Sequence, residues 1–160
     1  MDEGSEGSEA TDSEQVVVRI CSILRLGEHM YGRVRLQSAS DGYTLTLTPT
    51  QFELVRRVLL DTYGGGRRPG IVSVAVGEAS ARVEDLMRRE VDFTATESVD
   101  LNLSRSDLYV LYRALAFAYL SRSSEEAFHS RFGFFSENVQ KLGWAIERAL
   151  EEVDGSAHEH

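Results

Sequence analysis

The chain has 160 residues, a formal net charge of −9 and one cysteine, Cys21. This length fits a single domain with a real hydrophobic core, and a lone cysteine excludes an internal disulfide and a secreted disulfide scaffold. No basic segment followed by an apolar one opens the chain, and no run approaches 18 apolar residues. We therefore expect neither a signal peptide nor a membrane span, and hence a cytoplasmic protein.

The negative charge is concentrated at the two ends of the chain. Residues 1–15 contain six acidic residues and no basic one, and residues 151–160 contain four more acidic residues. Between them, residues 16–150 are nearly neutral, with 17 basic and 16 acidic residues. The N-terminal composition of Gly, Ser and acids is typical of disorder. We predict disordered tails over 1–15 and 154–160 and one folded domain over 16–153.

The first half of the domain reads as three strands followed by a helix. Apolar or alternating runs at 16–24 ("VVVRICSIL"), 32–37 ("GRVRLQ") and 44–48 ("TLTLT") predict the strands, and "SASDG" predicts a hairpin turn before the third. Thr48 followed by Gln51 has the spacing of a capping box, and Pro49 suits a first helical position. A helix is therefore expected from Pro49 to about Tyr63.

This strand–helix segment occurs a second time. Residues 45–63 and 101–119 align without a gap, with five identical and six conservative pairs in 19 positions. Ser104 and Asp107 repeat the capping arrangement of the first copy. Upstream, "IVSVAV" (71–76) and "VDFTAT" (91–96) predict two further strands, whereas "ASARVEDLMRRE" (79–90) fits either a short helix or a crossing loop. We predict two β-β-β-α units over about 16–66 and 71–121.

A C-terminal extension over 122–153 follows the second unit. "SSEEAF" predicts a short capped turn, and the apolar spacing after Ser136 predicts a long closing helix capped by that serine. The predicted fold class is therefore α+β. The two units share one antiparallel sheet, both repeat helices cover one face of it, and a C-terminal helix packs beside them or over an edge.

Residues 101–150 resemble a family of small uncharacterised bacterial proteins. The resemblance is carried by Ala114-Leu115, by "FHSRFG" (Phe128 to Gly133), which matches a Phe-His/Gln-x-Arg-x-Gly signature, and by the helix from Ser136. The chain departs from the family where Ala116-Phe117 replaces a polar Asn-Glu pair, which weakens any role for that pair here. Since the family carries no assigned activity, the resemblance implies a fold segment and no chemistry.

Two groups of residues are candidate sites for an anionic ligand. One is Arg67 and Arg68 in "YGGGRRPG", where glycines expose N–H groups, although the Lys-Ser/Thr of a phosphate-binding loop is absent. The other is His129 and Arg131 in "FHSRFG", with Arg131 as the fork. The alternative in the first case is a flexible connector. In the second, it is a structural turn in which His129 and Arg131 satisfy backbone carbonyls and Gly133 is left-handed.

The strand pattern predicts an exposed polar face on the sheet. Arg33, Arg35, Thr44 and Thr46 alternate with Val34, Leu45 and Leu47, so the polar set forms a candidate partner surface. No Ser/His/Asp order, paired carboxylates or metal spacing is found, and His158 and His160 lack a third ligand, so we expect no metal or cofactor.

Three hypotheses for the function follow from these patterns. The first is a non-enzymatic protein-binding or regulatory module of the immunity type, with an unknown protein partner or a second copy in a homodimer. The second is an anion-binding protein or enzyme with a pocket between the units. The third is a winged-helix-like nucleic-acid binder using Arg33, Arg35, Arg56 and Arg57, which the acidic tails and the repeat disfavour.

Overall fold

The computed structural model describes residues 33–64, 74, 76–94 and 97–157 of the chain. These residues form an α+β fold with a C-terminal helix, as the sequence predicted. The strands are β1 (Arg35–Ala39), β2 (Gly42–Leu47) and β3 (Val99–Leu103). The helices are α1 (Pro49–Gly64), α2 (Ala81–Arg88), α3 (Arg105–Leu120), α4 (Glu125–Phe132) and α5 (Ser136–Ala157).

The three strands form an antiparallel sheet in the order β1-β2-β3. The predicted hairpin joins β1 to β2, with Ala39 paired to Gly42 across a two-residue turn. Gly42 has a φ of 143°, and a Cβ there would collide with the carbonyl oxygen of Leu103 on β3. Only glycine therefore lets β2 start this close to the end of β3.

Both predicted strand-to-helix junctions and both capping boxes are confirmed. The Thr48 hydroxyl accepts the N–H of Gln51, whose side-chain oxygen accepts the N–H of Thr48 at 2.9 Å. Ser104 and Asp107 exchange the same two hydrogen bonds at the start of α3. Each junction satisfies two N–H groups that a bare helix end would leave unpaired, which ends the strand and starts the helix within two residues.

In its described residues, the second predicted unit has one strand, β3, where three were predicted. In "IVSVAV" the two described residues, Val74 and Val76, are helical, and the described part of "VDFTAT", residues 91–94, contains no strand. Of residues 79–90, Ala81–Arg88 form the helix α2, capped by Ser80. The predicted strand 16–24, the tail 1–15 and the connector containing Arg67 and Arg68 lie outside the described residues.

One hydrophobic core lies between the sheet and the helices. The inward residues of β2 and β3, among them Leu45 and Leu101, are essentially inaccessible to solvent and belong to the same cluster as the apolar faces of α1, α3 and α5. Helix α5 packs against α3 and β1. It continues to Ala157, beyond the predicted boundary at Val153.

The N-terminus of α5 is capped differently from the prediction. Ser136 is the first helical residue, and the carboxylate of Glu125 on α4 accepts both its N–H and its hydroxyl at 2.6 Å. These hydrogen bonds from Ser136 hold the pKa of Glu125 below its usual value. The cap comes from a neighbouring helix, which the local pattern around Ser136 does not contain.

Candidate functional site

The polar sheet face consists of two rows of side chains that run across all three strands. Register places Arg35, Thr46 and Asp100 in one row and Gln37, Thr44 and Asn102 in the other. The Thr46 hydroxyl donates to Asp100 at 2.7 Å, and the Thr44 hydroxyl lies 3.0 Å from the side-chain oxygen of Asn102.

Of the predicted partner-surface residues, Arg35, Thr44 and Thr46 therefore share the polar sheet face. Arg33 precedes β1, is exposed, and places its guanidinium 3.9 Å from Glu152 of α5. Both threonine hydroxyls are engaged within the face, as is usual for the solvent side of an open sheet.

The predicted anion fork, Arg131, is already paired. Its guanidinium forms two hydrogen bonds with the carboxylate of Asp61 on α1, at 2.5 and 2.6 Å. His129 is exposed and packs against Phe135, with ring centroids 4.8 Å apart and the rings tilted by 35°. Arg67 and Arg68 are not among the described residues, so their position relative to His129 and Arg131 is not defined.

The "FHSRFG" segment fastens α4 to α1. Phe128 and Phe132 are buried, with their ring centroids 4.6 Å apart. Gly133 has a left-handed backbone with a φ of 72°, as the structural-turn alternative predicted. The expected bond from Arg131 to a backbone carbonyl is wrong, because its guanidinium binds Asp61, and the described contact of His129 is with the ring of Phe135 instead of a carbonyl. It is Arg57 of α1 that donates to a carbonyl of this segment, that of Phe132, at 3.0 Å.

The arginines considered for nucleic-acid binding do not form one basic surface. The Glu53 carboxylate binds Arg56 at 2.7 Å and Arg57 at 2.8 Å, both within α1. Burial would raise the pKa of Glu53, but the hydrogen bonds and charges of these two arginines outweigh it and lower the pKa. Arg33 and Arg35 lie by contrast at β1, where Arg35 belongs to the polar sheet face.

A buried carboxylate, Asp107, joins the starts of two helices. It accepts hydrogen bonds from Ser80, the N-cap of α2, at 2.5 Å and from the hydroxyl and N–H of Ser104, the N-cap of α3. Burial would raise the pKa of Asp107, but these bonds and the charge of Arg82 at 3.8 Å lower it overall. The Ser–Asp contacts are capping bonds and include no histidine base, so they make no nucleophile.

An open apolar groove lies between α3 and α5, and the sequence analysis did not single it out. This aromatic groove measures about 180 Å³. Its lining includes Tyr112, Ala116, Tyr119, Leu120, Gly143 and Trp144. Trp144, the only tryptophan of the chain, is 59% exposed, and Leu120 is 78% exposed.

The helices that form the aromatic groove run antiparallel. Arg105 at the start of α3 lies 3.5 Å from Asp154 near the end of α5, and a Cβ on the buried Gly143 would just touch the ring of Tyr112. Gly143 therefore lies at the floor of the groove, level with the ring of Tyr112. Along the α3 side, Arg113 donates to the hydroxyl of Tyr109 at 3.0 Å, and Arg122 lies over the ring of Tyr119 at 4.2 Å.

A sequence signal for the aromatic groove did exist. The core stripe of α5 runs through positions 139, 142, 146 and 149, and Trp144 lies off it, as Leu120 lies off the stripe of α3. An aromatic or large aliphatic residue off the core stripe of an amphipathic helix is left to solvent unless a partner covers it.

Neither a metal site nor a membrane helix is found in the described part of the chain. Over residues 33–64, 74, 76–94 and 97–157, no three His, Cys, Asp or Glu side chains cluster as metal ligands. Within the same ranges, every helix is too short or too polar to cross a bilayer.

Comparisons with known proteins gave no match. No family model, no curated protein and no solved structure is similar to this chain. The assignment of a function therefore rests on the geometry of the two surfaces described above, the polar sheet face and the aromatic groove.

Proposed function

We propose that the protein is a non-enzymatic protein-binding module that acts in the cytoplasm and binds its partner through the aromatic groove. The observation that carries this proposal is the exposure of Trp144 and Leu120 along one apolar groove. Interfaces concentrate their binding energy in a few Trp, Tyr and Arg residues that sit in or beside a pocket. Here Trp144, Tyr112 and Tyr119 line the groove, and Arg122 borders it through its contact with the ring of Tyr119.

The aromatic groove supports binding better than the polar sheet face. The sheet face exposes polar side chains, several of which already bond to one another, and water solvates such a face at little cost. Leaving a tryptophan and a leucine in water forgoes about 25 cal/mol for each Å² of apolar surface that a partner would cover. The groove therefore offers a driving force for association that the sheet face lacks.

Affinity capture with matched variants tests the proposal. Tagged wild type, Trp144→Ala and Phe93→Ala are compared as baits, because Phe93 is also an exposed aromatic but lies outside the groove. A partner is expected on the wild type and Phe93→Ala baits and is lost on Trp144→Ala. The purified partner should also shift the emission of Trp144 to shorter wavelength.

Two outcomes would overturn this assignment. One is a partner retained by Trp144→Ala and lost from an Arg35→Glu bait, which would move the binding surface to the polar sheet face. The other is turnover of a small substrate by the purified protein.

We propose as well that the domain arose by internal duplication. In support, β2 and β3 pair antiparallel with Leu45 opposite Leu101, the residue that aligns with it 56 positions later. A local two-fold axis between adjacent strands produces this register. The buried residues of α3 are Asp107, Leu108, Val110, Leu111, Ala114, Leu115 and Ala118, and each has a buried counterpart 56 positions earlier in α1.

A further inference from the structure

We infer that the occupant of the aromatic groove is a second copy of this chain, in an isologous dimer whose two-fold axis runs along the groove. The inference rests on the proposed binding role of the groove and names its partner. It is argued from the distribution of charge on α3 and α5, from the antiparallel arrangement of these helices and from the area that they present.

The two walls of the groove carry opposite charge. Helix α3 contains two arginines, Arg105 and Arg113, with Arg122 just beyond its end, and its one acidic residue, Asp107, is buried. Helix α5 contains five acidic and two basic residues. Asp154 pairs with Arg105 of α3 in the same chain, whereas Glu147 and Glu151 form no ion pair within the described residues. A surface that is basic along one side and acidic along the other is complementary to a copy of itself turned over.

The charges also select the symmetry axis. A two-fold axis that lies in the interface and runs along the groove places α3 of one copy over α5 of the other at the same level. An axis that lies in the interface but crosses the groove places α3 over α3 and α5 over α5. The first arrangement brings basic against acidic, whereas the second opposes like charges, which costs binding energy.

The same axis gives Trp144 a place to bind. Because Tyr112 of α3 lies level with Gly143 of α5, Trp144 lies level with the middle of α3. A two-fold along the groove therefore places each Trp144 against Tyr112 and Ala116 of the other copy. Arg113 is then level with Leu142 of the other copy, and Glu147 lies five residues further along α5, about 7.5 Å along the helix axis, which is within the combined reach of the two side chains.

The available area suits a weak dimer. Helix α3 has 16 residues and is about 24 Å long, and two adjacent helices are about 20 Å wide, so the face covers roughly 500 Å² in plan. Standard stable interfaces bury about 800 Å² per partner. We expect a dissociation constant no tighter than about 1 μM, which is at the weak end for specific complexes.

Sedimentation equilibrium combined with fluorescence tests the dimer. Over a concentration series from about 1 μM to about 1 mM, the full chain should pass from monomer to dimer, and the emission of Trp144 should shift to shorter wavelength over the same range. Trp144→Ala should weaken association at least about tenfold, whereas Phe93→Ala should leave it unchanged.

A charge exchange identifies the axis. Arg113→Glu and Glu147→Arg should each weaken self-association, because each places like charges across the interface twice. An equimolar mixture of the two variants should restore a heterodimer, since the introduced glutamate then meets the introduced arginine and the other contact keeps its native charges. Stronger association of Arg113→Glu with wild type than of either protein with itself would instead indicate α3 over α3, because the introduced glutamate then meets the native Arg113, and would overturn the proposed axis.

Different experimental results would overturn the proposed dimer and the proposed binding function. A chain that stays monomeric across the series, with unshifted Trp144 emission, overturns the dimer, and capture of another protein that depends on Trp144 would leave the proposed function standing. A dimer that is insensitive to Trp144→Ala and to both charge variants overturns the groove as its interface. Circular dichroism and thermal melting of each variant exclude loss of folding as the cause.

Discussion

Helices α1 and α3 have the same length and share seven buried positions but have very different exteriors. Each has 16 residues and follows a strand through a capping box. The exterior of α1 is tied to neighbouring elements, because Arg57 donates to Phe132 of α4 and Asp61 binds Arg131. The exterior of α3 presents Tyr109 to solvent. The core pattern alone therefore does not determine what the outside of a helix does.

The largest effect is expected at Leu45 and Leu101, which lie on the strands that precede α1 and α3 and face each other across β2 and β3. Both side chains are fully buried, so Leu45→Ala and Leu101→Ala should each lower the free energy of unfolding by about 3 kcal/mol through lost burial and a residual cavity. Denaturant unfolding measures both. Leu60→Ala on the partly exposed side of α1 is the control and should change stability by less than about 0.5 kcal/mol.

Equal effects at the two leucines would support their equivalence. If one substitution costs about 1 kcal/mol or less while the other costs about 4, the two leucines do not occupy equivalent environments. The duplicated arrangement of the two strand–helix segments would then lose its energetic support.

The next test concerns Gly133, which ends α4 beside the exterior of α1. Gly133→Ala should destabilise the fold by about 1–2 kcal/mol, because an L residue is strained at its left-handed φ. The new Cβ would also lie 2.5 Å from the Arg57 guanidinium and displace its bond to Phe132. Thermal melting measures the change.

Gly155→Ala on α5 is the matched control for Gly133→Ala. No atom lies within 4 Å of a Cβ built at Gly155, which is helical, so this substitution should be neutral or slightly stabilising. A Gly133→Ala variant as stable as Gly155→Ala would contradict the role of Gly133 in the contact between α4 and Arg57 of α1.

A smaller effect is expected from Asp107, where the two halves use different chemistry. The first half completes its capping box with the neutral Gln51, whereas the second uses a carboxylate whose pKa is lowered in the folded state. A lowered pKa adds stability above the unfolded-state pKa, near 4, and that stability is lost as the pH falls through the folded-state pKa. Asp107→Gln should therefore cost about 1 kcal/mol at pH 7 and reduce the loss of stability on acidification.

The measurement for Asp107 is a series of denaturant unfolding curves from neutral to acid pH. Wild type and Asp107→Gln should converge as the pH falls, because the wild type loses the contribution that the variant never had. Parallel curves for wild type and variant down to the acid limit would contradict the assigned role of the carboxylate.

Local patterns predicted the parts of the fold whose causes lie within a few residues. Thr48 with Gln51 and Ser104 with Asp107 are three residues apart, so the sequence contains both members of each cap. The alternation of Leu45 and Leu47 likewise determines which side of β2 is buried. The sequence therefore predicted the class, the hairpin, both strand–helix junctions and the polar sheet face.

The sequence did not predict contacts between residues that are distant along the chain. Asp61 and Arg131 are 70 residues apart, and Ser80 joins Asp107 only because α2 docks beside the start of α3. Because the sequence alone does not show that Asp61 pairs with Arg131, the Arg131 guanidinium was predicted to be available for an anionic ligand. The aromatic groove was missed for the same reason, since Trp144 and Tyr112 become neighbours only when α5 packs on α3.

The smallest effect expected is the coupling between Asp61 and Arg131, and it bears most directly on the difference between the two helix exteriors. The pair is bidentate and its side chains are about 30% exposed, so its coupling energy should lie at the upper end for surface ion pairs, near 1 kcal/mol. A double-mutant cycle with Asp61→Ala and Arg131→Ala measures it by denaturant unfolding. The same cycle on Tyr109 and Arg113 of α3 should give about 0.5 kcal/mol or less, because Tyr109 is 57% exposed and the contact fastens no second element. Equal coupling energies in the two cycles would mean that the exterior of α1 is no more firmly held than that of α3.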